Sequence, residues 1–147
     1  MPPMHLERRY ATMPTLTRLF EPIAIRSMQL RNRIVMPSMV TNFSTTDGEV
    51  TPRLINYFVA RAHGGVGLIV TEAAYVRPDG KGFLNEVGIH KDEMIPGLRR
   101  LTDAVHAEGA KIAVQIYHAG RQTVTAIPGL PTVGPSPIPD PTIKQIP

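Results

Sequence analysis

Three short stretches carry small and polar residues where apolar runs give out: "MPSMVT" at 36–41, "TEAAY" at 71–75 and "QIYHAGR" at 115–121. The third is the most informative. Ile112, Val114 and Ile116 alternate with Ala113, Gln115 and Tyr117, and His118, Gly120 and Arg121 follow at once. A buried strand that only filled a core has no use for a glutamine inside it, or for an imidazole and a guanidinium at its end. Gln115 offers an amide donor and an acceptor, the pair needed to read a heterocycle with polar edges. Ser38, Ala73 and Gly120 are small enough to let a flat ligand approach the backbone. Taken singly, each has a plainer reading. Strand-end Ser and Gln cap backbone groups, His118 is a hydrogen-bonded structural histidine, Glu72 pairs with Arg121, and Met36 and Met39 fill a core. Three such edges together point to a site, though not to a reaction.

The elements that must position these residues can be read from pattern and punctuation. Ile23–Ile25 and Met28–Leu30, separated by Arg26–Ser27, form a small hairpin leading into a first buried strand at 33–36. Pro37 ends that strand because it has no amide hydrogen for a central ladder. Asp47–Gly48 marks a turn, Thr51 an N-cap and Pro52 the first position of a helix. Leu54, Ile55, Phe58, Val59 and Ala62 share one helical face, and Gly64–Gly65 ends it. "VGLIVTEAA" is a short continuous apolar run, as expected of a strand buried on both faces. A turn-rich stretch, "YVRPDGKGF", comes next, then a second helix over about 96–108 with Leu98, Leu101 and Val105 inward and Gly109 as terminator. "KIAVQIYH" is the third strand.

Strand, helix, strand, helix, strand is the order of consecutive βαβ units and so of a parallel α/β sheet. In such a sheet all strand C-termini lie on one side, where ligands bind in doubly wound sheets and in βα-barrels. The three polar stretches are those C-terminal edges. Residues 1–14 read as an N-terminal extension, and 15–147 as one unit ending in a proline-rich loop.

Composition narrows the function further. The 147 residues suffice for one modest core, and no apolar stretch reaches the length of a membrane span. The first residues lack the continuous apolar block of a secretory signal. Cysteine is absent, which excludes thiolate nucleophiles and cysteine-held clusters within this segment and suits the cytoplasm. The net charge of +4 is dispersed and not interleaved with aromatics, which argues against nucleic acid. "HGGVG" precedes its strand and is a helix terminator, not a phosphate loop. His63 and His118 have no ligand partner at metal-binding spacing, and Ser38 lacks a nucleophile-elbow context.

At the same edges, "NRIVMPSM", "ARAHGGVGLIVTEA" and "QIYHAGRQ" resemble the N-terminal part of the Old Yellow Enzyme family of FMN-dependent ene-reductases. Within that family the chain is most similar to the branch containing 2,4-dienoyl-CoA reductase and related NADH:flavin oxidoreductases. The resemblance implies a (β/α)8 TIM barrel with FMN at its C-terminal side. By that resemblance Pro37, Ser38 and Met39 lie against the isoalloxazine, with Val40 close by. Ala73 contacts the flavin edge, Gln115 hydrogen-bonds the pyrimidine part, and His118 and Arg121 shape the loop behind. NAD(P)H is the implied reductant, and an activated C=C bond of an unsaturated carbonyl or enoyl thioester the implied substrate.

A full barrel takes about 250 residues, so the chain reads as an incomplete N-terminal portion, a hairpin plus about three βα strands. No catalytic residue of the family falls in it. The substrate-activating pair, the catalytic tyrosine and the phosphate loops come later in the family's chains. Any iron–sulfur cluster and second dinucleotide domain come later still. The competing expectation is a non-catalytic truncated product, or a half-barrel acting only with a complementary chain. Open strand edges favour self-association.

Overall fold

The computed structural model describes residues 17–147, so the extension read at 1–14 lies outside the described residues. After a single helical turn, α1 (Thr17–Phe20), come the hairpin strands β1 (Ile23–Ile25) and β2 (Met28–Leu30). They pair antiparallel with Ile25 opposite Met28, and Arg26 takes a φ of 53° at the turn between them. The chain continues through β3 (Val35–Met36), α2 (Pro52–His63), β4 (Leu68–Tyr75), β5 (Val87–Gly88), α3 (Ile95–Ala107) and β6 (Lys111–Tyr117).

Local chemistry explains both main helices. Thr51 accepts the Leu54 amide at 3.2 Å, and Pro52 fills the first position, where a missing N–H costs nothing. Leu54, Phe58 and Ala62, four residues apart, make the buried stripe of α2. Gly65, at φ +99°, then turns the chain toward β4. In α3 the buried stripe is Leu101 and Val105. Both stripes pack on one side of the sheet with Met36, Ile69, Ala74 and Val87, forming the core.

The sheet is parallel and organised around β4. β6 follows one edge of β4 from Leu68↔Lys111 to Tyr75↔Tyr117. The other edge is shared. β3 pairs only with its start (Val35↔Leu68, Met36↔Ile69), and β5 only with its end (Ala74↔Val87, Tyr75↔Gly88). Between Val70 and Ala73 the register with β6 shifts. Three steps along β4 match two along β6, so that Ala73 stands opposite Gln115. The result is an open α/β sheet with helices on one side, the arrangement of an incomplete TIM barrel.

Three expectations need correction. The first strand is shorter than 33–36: it spans Val35–Met36, Ile34 giving only its carbonyl to the amides of Gly67 and Leu68, and Pro37 ends pairing after Met36. The two-residue β5, between the turn-rich stretch and the second helix, was not foreseen. β6, expected to be buried, is mostly exposed, with Val114 at 46% and Ile116 at 70%, since only β4 flanks it among the described residues. By contrast β4 is buried almost throughout.

Beyond a 3₁₀ turn at Gly120–Gln122, the tail holds no helix or strand. Threonines and a buried aspartate tie it down instead. Thr123 donates to the Asp79 carbonyl at 3.2 Å, Thr132 to the Thr123 carbonyl at 3.1 Å, and Asp140 accepts the amides of Thr142 (2.8 Å) and Ile143 (3.1 Å). Among the described residues no helix is long and apolar enough to cross a membrane.

Candidate functional site

The three C-terminal edges converge as their order in the sheet requires. Pro37, Ser38 and Met39 leave the end of β3, Ala73 lies in β4 between, and Gln115 lies in β6 beyond. The Ser38 hydroxyl donates to Gln115 Oε1 at 2.5 Å, spanning the width of β4. Ala73, 4% exposed and opposite Gln115, presents only a methyl group beneath that bridge. A larger side chain there would stand in its way. Gln115 spends its carbonyl on Ser38, and its amide hydrogens meet no acceptor among the described residues. Met39, 50% exposed, adds an apolar surface beside Ser38, and Pro37 is exposed as well. These features form an open shelf, apolar at one end, with an unused donor at the other.

Residues behind the shelf fix its geometry. The His118 ring accepts the Gly120 amide at Nδ1 (3.0 Å) and places Nε2 3.6 Å from the Asp79 carboxylate. Its ring lies so close to Gly80 that a Cβ there would come within 2.5 Å of it. Asp79 also pairs with Arg77 at 2.9 Å. His118 therefore locks the start of one loop onto another. Gly120, at φ +56°, turns the chain away from the strand end. Arg121 reaches the fully buried Asp140 at 3.7 Å.

That last contact overturns the expected Glu72–Arg121 pair. Glu72 is fully buried, and its Oε2 accepts both the amide (2.7 Å) and the hydroxyl of Thr41. The two residues share a sheet edge in the sequence pattern, but the Glu72 side chain turns toward the loop after β3, while Arg121 follows the tail. Burial pushes the Glu72 carboxyl above its ordinary range, and the Thr41 hydrogen bonds oppose that push.

A second buried acid escaped the sequence reading. Glu86, just before β5, accepts the amides of Gly82 (2.8 Å) and Phe83 (3.2 Å), and burial pushes its carboxyl up to about 7. The nearby charge of Glu72 raises it further, and Lys81 lowers it. Lys81 is itself nearly buried and donates to the Thr46 carbonyl, with burial pulling its ammonium down. Burial first, then Asp47 and Glu86, push the Tyr75 hydroxyl up to about 12, so it serves as a donor, to the Asp47 carbonyl at 3.0 Å. The available signal for both acids was a lone carboxylate inside an apolar run, in "LIVTEAAY" and "NEVGI".

An apolar cavity of about 400 Å³ lies on the helix side, lined by Leu54, Phe58, Leu98, Leu101 and Val114 among others. None of Pro37, Ser38, Met39, Ala73 or Gln115 lines it. It is bounded by α2, α3, β4, β5 and β6, with Glu72 on its wall.

Comparison with known proteins identifies the arrangement. Residues 18–142 match the model of the NADH:flavin oxidoreductase / NADH oxidase family. The chain belongs to that family. It is 50% identical over 123 residues to an NADH oxidase of Thermoanaerobacter brockii, covering 82% of this chain and 19% of that protein. The fold superposes on the Old Yellow Enzyme homologue of Zymomonas mobilis with a TM-score of 0.80 at 30% identity, covering 87% of this chain and 36% of the other. A 2-naphthoyl-CoA reductase, solved with 2-naphthoyl-CoA, gives a TM-score of 0.84 at 33% identity, covering 89% and 22%. The chain thus spans about a fifth to a third of the family members it matches here. Within the family, the shelf and its supports fall inside the matched segment.

Proposed function

We propose that this chain supplies the flavin-facing first strands of an FMN-dependent NAD(P)H oxidoreductase that reduces activated C=C bonds. The observation that carries the reading is the convergence of Ser38, Ala73 and Gln115 at one sheet edge. An isoalloxazine is flat, and its pyrimidine part has carbonyl acceptors along the edge. The residues present fit such a group. Ala73 adds no bulk, Gln115 has amide hydrogens to give, and Pro37 and Met39 offer apolar contact. Ser38 orients the Gln115 amide by occupying its carbonyl, which leaves the donor end for the ligand.

When bound, FMN supplies the hydride chemistry, from NAD(P)H to the β-carbon of an unsaturated carbonyl compound. The part of this chain is to bind and orient. Groups that activate the substrate and hold the flavin phosphate belong to other segments of such a protein. The substrate class is an unsaturated carbonyl compound or an enoyl thioester. Support for the dienoyl-CoA reductase branch comes from the likeness to the 2-naphthoyl-CoA reductase and to the NADH oxidase, of which this chain spans the smaller shares. Those shares leave room for the further domain and iron–sulfur cluster of that branch, to which this cysteine-free chain contributes no thiolate. A cytoplasmic setting fits a reductant of this kind.

The exposed outer edge of β6 favours a second reading, in which the chain works only when a complementary chain pairs with that edge.

The test is to replace the matching segment of the T. brockii NADH oxidase with residues 18–142 and measure flavin content after gel filtration. Retention of FMN near that of the parent supports the reading. A folded graft without flavin rejects it.

A further inference from the structure

β4 has a gap along one edge. β3 pairs with Leu68 and Ile69 and then departs at Pro37, and β5 arrives only at Ala74. Residues 70–73 therefore have no strand on that side. Such a gap strands backbone polar groups and leaves the departing loop without a ladder to hold it. Glu72 stands in this gap.

We propose that Glu72 is the positioning residue for the loop that carries Pro37, Ser38 and Met39, and that it replaces the missing ladder with a side chain; this rests on the flavin-binding reading given above. The carboxylate accepts the Thr41 amide at 2.7 Å through Oε2, as a backbone carbonyl of a pairing strand would. It also accepts the Thr41 hydroxyl, and that hydroxyl oxygen in turn accepts the Phe43 amide at 3.2 Å. One carboxylate oxygen thus orders the loop at two consecutive points. Glu72 consequently ties the loop after β3 to the middle of β4.

The surroundings make this hold stiff. Glu72 is 0% exposed, so no solvent competes with Thr41 for its carboxylate. From Thr41 back to Ser38 is three residues, too short for the loop to shift at one end and stay at the other. The Ser38–Gln115 bridge is the far end of the same strap. Without Glu72 the segment 37–41 would keep only the exposed Ser38–Gln115 bridge, the other holds lying further along the loop, where Asn42 and Ser44 meet Asn85 and the Phe43 carbonyl accepts from Thr51.

Hydrogen–deuterium exchange on the 147-residue chain, read by mass spectrometry over peptides spanning 37–43, tests the hold without flavin. Glu72→Ala should speed exchange there by about tenfold or more, the loss of roughly one buried hydrogen bond, while β4–β6 amides change little. Glu72→Gln keeps an acceptor oxygen for Thr41 and should restore protection. Unchanged exchange in Glu72→Ala, or an equal loosening of β4–β6, overturns the proposal. If Glu72→Ala does not fold, Thr41→Val removes only the hydroxyl and should loosen 37–43 alone; no loosening there overturns it equally. In the grafted oxidase, Glu72→Ala should lose FMN and Glu72→Gln keep it. A parent graft without FMN sinks the flavin reading, whereas FMN held equally by parent and Glu72→Ala sinks only the positioning role.

Discussion

The Ser38 hydroxyl and the Gln115 carbonyl oxygen meet at 2.5 Å although 77 residues separate them in the chain. Neither residue belongs to the buried core, so the contact is made for the surface it shapes. It aligns the end of β3 with β6 over the methyl of Ala73, and sets which end of the Gln115 amide points outward.

Replacing Gln115 should therefore affect ligand retention more than folding. In the grafted oxidase, Gln115→Leu should weaken FMN binding by about 1–3 kcal/mol, the usual cost of a lost hydrogen bond in a desolvated site. Equilibrium dialysis against free FMN measures it. An affinity equal to the parent's would remove Gln115 from the site.

The buried Glu86 predicts an uncommon pH dependence. Its folded carboxyl is raised from 4.5 to about 7, so between those values the folded chain holds a proton that the unfolded chain has released. Stability should fall as pH rises through that window, by roughly 1–3 kcal/mol, and level off above it. Glu86→Gln should flatten the slope. Urea midpoints across the window give the answer, and a wild-type midpoint that rises instead would contradict the sign.

Gly48 sits at φ +84°, and a Cβ there would lie 2.4 Å from the Tyr75 hydroxyl and 2.9 Å from the Gly88 amide. Gly48→Ala combines backbone strain with overpacking and should cost about 2–4 kcal/mol. Gly65→Ala, equally left-handed at φ +99° but facing open space, should cost less. Comparing the two denaturation midpoints separates strain from crowding.

The chain studied alone should self-associate and hold little FMN. β6 exposes Val114 and Ile116 and has a free outer edge among the described residues, a template for another strand. Ile116→Lys should shift the distribution toward monomer on size-exclusion chromatography with light scattering. A compact wild-type monomer with bound flavin would overturn the expectation.

Much of this architecture is legible in sequence because it rests on local signals. Thr51–Pro52 starts α2, Leu54, Phe58 and Ala62 give its buried stripe, and the run "LIVTEAAY" announces a central strand. That the ends of β3, β4 and β6 lie side by side follows from strand order, but that Ala73 and not Glu72 faces Gln115 depends on the register shift. What escaped depends on distant geometry. β5 is two residues long and has no periodicity to read; it exists because β3 vacates the edge of β4. Glu72 was assigned to Arg121 since both close a strand, but charge says nothing of the path by which the loop brings Thr41 close. The exposure of β6 is set by what stands beside it, not by its own alternation.

The register shift in β4 makes this corner sensitive to residue count. Continued without the shift, the pairing of Val70 with Ala113 would set Glu72, not Ala73, opposite Gln115. The carboxylate would then occupy the shelf, and Thr41 would lose its acceptor. A conservative exchange at any one of these positions leaves that frame intact. Removing a single residue between Val70 and Ala73 does not, so related chains can vary their side chains here far more freely than their length.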